Sequence, residues 1–206
     1  MINESKGAIL IVSGPSGCGK STLLREVYKN IPNYFSSIST TTREKREAEE
    51  DGVDYFFVNK EEFEKDIEAG NFLEWAKVHG NYYGTKLKPI VEALSEGKLV
   101  IFDIDVQGHK ILREKLNSLI TSVFVTTPTL KVLEQRLVSR ETDLPQIIEK
   151  RLQNAKIEIE SFTDYDYLIV NDSFHKATKE ILAIADITRI KAKLFIKEDI
   201  LANWIN

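Results

Sequence analysis

Residues Gly14-Pro15-Ser16-Gly17-Cys18-Gly19-Lys20-Ser21 place three glycines, a lysine and a hydroxyl at the spacing G-x-x-x-x-G-K-[ST]. Glycines at those positions let backbone N–H groups converge on phosphate oxygens, and a helix starting behind them presents its positive end. Lys20 then reaches the outer phosphates as a point charge, and the Ser21 hydroxyl is placed to coordinate Mg²⁺. Thr22 continues the same turn. An apolar strand before the loop and a helical pattern after it are the context the motif requires, so ATP or GTP with Mg²⁺ is expected here. Cys18 sits where Lys20 and a helix N-terminus would lower its pKa. It reads as a small loop filler without a catalytic role.

A second group of residues faces anions. Ser39-Thr40-Thr41-Thr42-Arg43-Glu44-Lys45-Arg46 sets two arginines three apart, with Tyr55 nine residues beyond. Guanidinium forks hold phosphate oxygens bidentately, and a tyrosine hydroxyl adds a donor. Taken alone, the stretch reads equally as a solvated basic turn. Phe72-Leu73-Glu74-Trp75 puts a carboxylate between apolar neighbours, either a costly buried charge or an exposed strand position. Asp103 ends an apolar run, where parallel sheets bind ligands; it is either a support for the metal's water shell or a structural carboxylate.

These side chains need a frame. The chain has 206 residues, 42% apolar and 29% charged, which is globular and allows one or two domains. A formal net charge of −4 disfavours coating a nucleic-acid backbone. The single cysteine excludes a disulfide framework, and three scattered histidines (His79, His109, His175) lack metal-ligand spacing. The longest apolar run, Ala8 to Val12, is too short to span a membrane, and the first residues carry no signal-peptide pattern, so a soluble cytoplasmic protein is expected.

Short apolar runs alternate with helix-period segments. Strands are expected at Ala8–Val12, Leu99–Ile104, Leu119–Val125 and Tyr167–Val170. Helices are expected at Lys20–Asn30, Val106–Leu116, Thr129–Val138 (with Pro128 as its first residue) and Ser173–Ile190. That order predicts an α/β fold with a parallel sheet covered on both faces. Two stretches depart from it. Ser37 to Gly84 is polar, with a short aromatic strand at Tyr55–Val58 and a helix capped by Asn59 and Glu62 and ended by Gly70, which reads as a small α+β insertion. Arg136–Ile159 reads as two helices joined by Ser139–Asp143, with an apolar stripe of Ile148, Leu152, Ala155 and Ile159, and the composition of a mobile helical flap.

From Lys6 to about Leu182 the sequence resembles the guanylate kinases, P-loop enzymes that phosphorylate GMP. The marks are Gly14–Ser21, Ser39–Arg43 with Arg46, Asp51-Gly52-Val53-Asp54-Tyr55-Phe56-Phe57-Val58, Phe72–Trp75, Gly80–Thr85, Asp103-Ile104-Asp105-Val106-Gln107-Gly108, Arg136 and Arg140, Lys150-Arg151-Leu152 and Ile169-Val170-Asn171-Asp172. The resemblance implies a P-loop kinase core (residues 1–36, 86–127 and 161–206), a GMP-binding region (37–85) and a lid (128–160). It implies ATP as donor, GMP or dGMP as acceptor and Mg²⁺ as cofactor; the charge and the short apolar runs give the expectation of no nucleic-acid or membrane partner.

Position by position, it puts Arg43, Arg46, Tyr55 and Tyr83 on the GMP phosphate, and Ser39, Glu74 and Thr85 on guanine with Asp105 nearby. Residues Gly14 to Thr22 would hold ATP, with Asn171 and Asp172 beside its base. Arg140 and Arg151 would reach the transferring phosphoryl group, with Arg136 in support. Lys45, Ala48 and Glu50 depart from the family's usual Pro, Gly and apolar residue. Three other readings share parts of this pattern: a kinase for another nucleotide or sugar phosphate, a non-catalytic guanylate-kinase-like binding module, and a P-loop GTPase. Glu74 with Thr85, the intact Gly19-Lys20-Ser21 and the second anion site argue against them in turn. Residues 191–206 read as an extension whose Leu194, Ile200, Leu201 and Trp204 pack on the core.

Overall fold

The computed structural model describes residues 7–47, 49–78, 80–116, 119–139 and 144–205. Its frame is a five-stranded parallel sheet in the order β2-β7-β1-β8-β9: β2 (Tyr34–Ser37), β7 (Leu99–Asp103), β1 (Ala8–Ser13), β8 (Ile120–Thr126) and β9 (Tyr167–Val170). β1 is buried along its whole length. Its even residues Ala8, Leu10 and Val12 pack with Leu23, Leu24 and Val27 of α1 (Lys20–Asn30) and Ala177 and Ile181 of α7 (Phe174–Thr188). Its odd residues Ile9 and Ile11 pack with Ile90 of α3 (Leu87–Ser95) and Leu112 of α4 (Val106–Leu116). A strand covered on both faces needs apolar residues at every position, which is why Ala8–Val12 is a run rather than an alternation.

A second, four-stranded sheet has the order β4-β3-β6-β5, from β4 (Phe56–Phe57), β3 (Thr40–Thr41), β6 (Asn81–Lys86) and β5 (Phe72–Val78). It is mixed: β3 runs parallel to β4 and antiparallel to β6. Helix α2 (Lys60–Glu68) docks on it through Phe63, which is fully buried and stacked on Phe72 and Tyr82 at 4.3 and 5.1 Å. The capping box read from Asn59 and Glu62 is present in both directions, and Gly70 takes the left-handed conformation just past the helix. The expected strand Tyr55–Val58 narrows to Phe56–Phe57 because its partner β3 is only two residues long.

Helices α5 (Leu130–Val138) and α6 (Pro145–Glu158) follow β8, and a 3-10 helix, Ile159–Asp164, leads into β9. Pro128 is not the first helical residue. Thr129 caps instead, its hydroxyl accepting from the Val132 N–H at 3.2 Å, and Pro128 precedes the cap. Of the expected stripe on α6, Ala155 is buried, while Ile148 and Leu152 are partly buried against the core. Helix α3 and strand β2 are among the elements outside the sequence reading. Helix α3 lacks a side-chain cap and carries Pro89 in its first turn; β2 is an edge strand, half-buried throughout, with serines at two of four positions. The C-terminal reading is half corrected. Leu194 is buried in the core, but on α8 (Lys197–Ile205) Leu201 is exposed and Trp204 is 85% accessible.

Phe63 and Trp204 therefore make a matched test of what holds the chain together. Phe63→Ala is expected to cost about 3–5 kcal/mol in equilibrium denaturant unfolding. Trp204→Ala is expected to stay within roughly 0.5 kcal/mol of wild type, although it removes the larger side chain. A large loss for Trp204→Ala would place that ring against a surface the structure does not give it.

Candidate active site

The loops that follow the parallel strands open on one edge of the sheet, the edge at which such sheets bind ligands. The loop after β1 takes its shape from glycines. Gly14 has φ 141°, and a Cβ there would lie 2.0 Å from the Val125 carbonyl oxygen; Gly19 has φ 101°, with a Cβ 2.3 Å from Asn171 Nδ2. The back of the loop is clamped. Asn171 Nδ2 donates to the Cys18 carbonyl at 2.8 Å, Arg136 Nη1 donates to the same oxygen at 3.3 Å, and Arg136 Nη2 reaches the Asn171 carbonyl at 2.8 Å. Arg136 and Asn171 thus hold the phosphate loop from behind, while Asp172 is exposed one residue on. The Cys18 thiol is fully buried, and burial pushes its pKa up against the opposing pull of Lys20, the reverse of the lowering read from its position.

In front of the loop lies a cleft of about 630 Å³, lined by Gly14, Ser16, Lys20, Ser21, Asp103 and Asp105 among others. The Lys20 ammonium is folded back onto the Gly14 carbonyl at 2.6 Å. Ser21 and Thr22 are exposed at the start of α1. Asp103 is open to water but lies deep between the walls, so burial raises its carboxyl above the ordinary range while Lys20 lowers it. Asp105 accepts the Gly108 N–H at 2.8 Å and so caps α4. No three acidic, histidine or cysteine side chains among the described residues group as a metal cage. A hydroxyl and a strand-end carboxylate beside a phosphate loop are sparse oxygen donors, which suits Mg²⁺, an ion that keeps most of its own water.

A second cavity of about 240 Å³ opens beside the first and shares Ser39, Tyr55, Asp103 and Asp105 with it. Glu74 lies at its wall, only 5% accessible, and accepts a 2.7 Å hydrogen bond from the buried Thr85 hydroxyl opposite it on β6. Its carboxyl is raised by burial, with Thr85 lowering it, Asp105 raising it and Lys115 lowering it. The exposed-strand reading of Glu74 is thereby excluded. Tyr83 lines the same cavity, its ring edge-on to Tyr55 at 6.0 Å.

Arg43 does not wait free at the rim. Its Nη2 holds both oxygens of Glu49, at 2.7 and 2.9 Å, its Nη1 donates to the Glu44 carbonyl, and its guanidinium lies 5.4 Å from the Tyr55 ring. Glu49 also accepts the Arg46 backbone N–H at 2.9 Å, while the Arg46 side chain stays exposed. Partial burial pushes the Glu49 carboxyl up, but these hydrogen bonds outweigh it and hold the group below its usual range. Glu49 was missed in the sequence. Its position three residues after Arg46 was the available signal, hidden in an acidic run. From the helical region, Arg151 Nη1 donates to Ser16 Oγ at 3.3 Å; Arg140 and Ala48 lie outside the described residues.

A clamped phosphate loop at the carboxyl edge of a parallel sheet, next to a carboxylate-walled second cavity, defines a P-loop nucleotide-binding α/β protein with room for two ligands. The sequence matches the family model described as guanylate kinase over residues 6–186. It is 50% identical over 203 residues to a guanylate kinase of Sulfurimonas denitrificans, covering 98% of each chain. It is 53% identical over 181 residues to that of Helicobacter hepaticus, covering 88% of this chain and 90% of that one. Among solved structures, guanylate kinase from Anaplasma phagocytophilum superposes with a TM-score of 0.76 at 31% identity, covering 93% of this chain and 90% of the other. The chain belongs to the guanylate kinase family. No helix among the described residues is long and apolar enough to cross a membrane.

Behind Gly108, which lines the second cavity, His109 is 2% accessible and stacked on Tyr165 at 3.8 Å. Burial first, then the Arg113 charge, brings its pKa down to about 4. An imidazole depressed in the fold takes its proton on unfolding, so stability is full above the unfolded pKa of roughly 6.5 and falls as the pH drops toward 4. The loss across that window is expected to be on the order of 3 kcal/mol. His109→Phe, which keeps a stacking ring, is expected to flatten the stability–pH curve between those limits. Denaturant unfolding at a series of pH values checks it, and an unchanged slope would show that His109 is not the group responsible.

Proposed function

We propose that the protein transfers the γ-phosphoryl group of ATP to GMP, and to dGMP, giving ADP and the nucleoside diphosphate. The observation that carries the choice of acceptor is the buried pair Glu74 and Thr85 at the wall of the second cavity. Guanine presents a ring N–H beside an exocyclic amino group, two parallel donors that one carboxylate accepts together. Adenine offers a bare lone pair at that ring position, which would leave Glu74 desolvated and unpaired. In this reading Ser39 and Thr85 complete the base contacts, with Asp105 nearby, and Arg43, Arg46, Tyr55 and Tyr83 take the acceptor phosphate. For Arg43 this means redirecting donors from Glu49.

A phosphate monoester is mostly dianionic at pH 7, so the acceptor needs no general base. It needs in-line placement against a second anion and neutralisation of the group that moves. Lys20, Arg140 and Arg151 supply that charge, the loop from Gly14 to Thr22 seats the donor, and Asn171 and Asp172 flank its base with Arg136 steadying the loop. Ser21 would hold Mg²⁺, with Asp103 ordering its water; when bound, the ion neutralises charge on the donor phosphates. Residues 37–85 and 128–160 act as two closing regions on the core, so the arginines meet the phosphates only when water is excluded.

GMP is expected to exceed AMP by ~10⁴-fold or more in kcat/KM, measured by coupled ADP release over a panel of nucleoside monophosphates. Glu74→Gln is expected to erode that preference through loss of GMP turnover, because its NH₂ opposes one guanine donor. Equal use of AMP and GMP by the wild type would return the chain to a general nucleotide kinase. Lys20→Ala is expected to abolish transfer while leaving the fold and much of the GMP affinity in place. Turnover within about tenfold of wild type, ~1.4 kcal/mol in the barrier, would refute the phosphate-loop mechanism.

A further inference from the structure

Strand β5 does not alternate regularly. Phe72 stacks on Phe63 of α2 at 4.3 Å, and Trp75 lies edge-on to Tyr82, which stacks on Phe63 as well. Residues three apart on a regular strand face opposite sides, so one residue between these two is extra. The pairing with β6 shows which: Phe72 pairs with Lys86 and Glu74 with Thr85, and the register passes over Leu73. This is a β-bulge, and it sends Leu73 and Glu74 to the same face. Leu73 joins the buried cluster that contains Leu112 of α4, and Glu74 enters the second cavity. On a regular strand with Phe72 in its present place, position 74 would face α2 and not the cavity.

A bulged residue drops out of the ladder, and its carbonyl needs another donor. The Lys115 ammonium provides one, 2.6 Å from the Leu73 oxygen. Gly108, Leu112 and Lys115 follow at i, i+4 and i+7 on α4 and form one stripe. Gly108 lines the cavity, Leu112 shares the buried cluster with Leu73, and Lys115 closes the stripe at the bulge. Lys115 is otherwise exposed, so it fills no space in the core. Burial raises the Glu74 carboxyl; Thr85 and the Lys115 charge lower it, and Asp105 opposes them.

We infer that Lys115 is a positioning residue for Glu74: its hydrogen bond to the Leu73 carbonyl holds the bulge that turns the Glu74 carboxylate into the cavity. It acts through the backbone of β5. Arg43, Tyr55 and Tyr83, on the acceptor phosphate in the proposed reading, stand on other segments. Loss of Lys115 therefore loosens recognition of the base and leaves the donor site as it was. A lysine that served only general stability would lower the melting temperature and weaken both ligands together.

The assignment rests on the reading of Glu74 as the guanine acceptor, and two measurements keep the two apart. In the full-length protein, Lys115→Met keeps the length of the stem and removes donor and charge. Amide hydrogen exchange across residues 72–75 is expected to quicken by about tenfold in this variant, with the melting temperature within about 2 °C of wild type. GMP affinity, measured by calorimetry without ATP, is expected to fall by about five- to tenfold, while ATP affinity stays within about twofold. Lys115→Arg, which keeps a charged donor, is expected to restore both the exchange and the GMP affinity. Added to Glu74→Gln, Lys115→Met is expected to weaken GMP binding by less than about twofold more, because its effect runs through Glu74. Unchanged exchange at residues 72–75 in Lys115→Met, or losses of GMP affinity that simply add in the double variant, would overturn the assignment. If the wild type binds no GMP, the acceptor reading falls, and the exchange comparison alone decides whether Lys115 holds the bulge.

Discussion

The carbonyl oxygen of Cys18 is where three distant parts of the chain are tied together. It accepts from Asn171, 153 residues away at the end of β9, and from Arg136, 118 residues away on α5. Where a loop turns N–H groups toward a ligand, carbonyls on its other side need partners behind it. Asn171 and Arg136 meet that need, and Arg136 bonds to Asn171 as well, so the loop, the end of the outer strand and Arg136 of α5 are tied to one another. Gly19 is required because Asn171 fills the space any Cβ would take. Loop curvature, the approach of α5 and the position of β9 thus follow from one acceptor.

What could be read from the sequence is what local chemistry determines. The phosphate loop, α1, the Asn59–Glu62 cap and the buried β1 each follow from residues adjacent in the chain, and each is found at or within a residue of its expected place. Glu74 was undecidable by pattern, since only its partner across the sheet, Thr85, shows that it is buried. Arg136 and Asn171 were assigned toward the donor nucleotide through resemblance, and their backbone contacts behind the loop leave no trace in residue type. Glu49 was passed over because it is masked by neighbouring acids. The C-terminal apolar residues misled because apolar content argues for burial but does not provide a surface to bury against.

The cleft is built against its own stability. Glu74, Asp103 and Glu158 all have carboxyls raised first by burial, partly relieved by Thr85 for the first and by Lys20 for the other two. A carboxyl raised above its unfolded value withdraws stability as the pH climbs through that value, so three such groups in one cleft oppose folding at neutral pH. Arg43 bound to Glu49 is the converse arrangement, a pair that supports its loop.

The exposed position of Trp204 has a practical side. The chain contains two tryptophans, and the other, Trp75, follows Glu74 on β5 and lies edge-on to Tyr82 at 5.7 Å. An indole as open to solvent as Trp204 emits a red-shifted background that changes little with events in the cleft. Replacing it with phenylalanine would leave a single tryptophan, one residue along the strand from the carboxylate at the cavity wall. Glu74, Ala76 and Val78 line the cavity while Trp75 points to the other face of β5 against Tyr82, so its emission would follow the packing of the second sheet on its α2 side without a label.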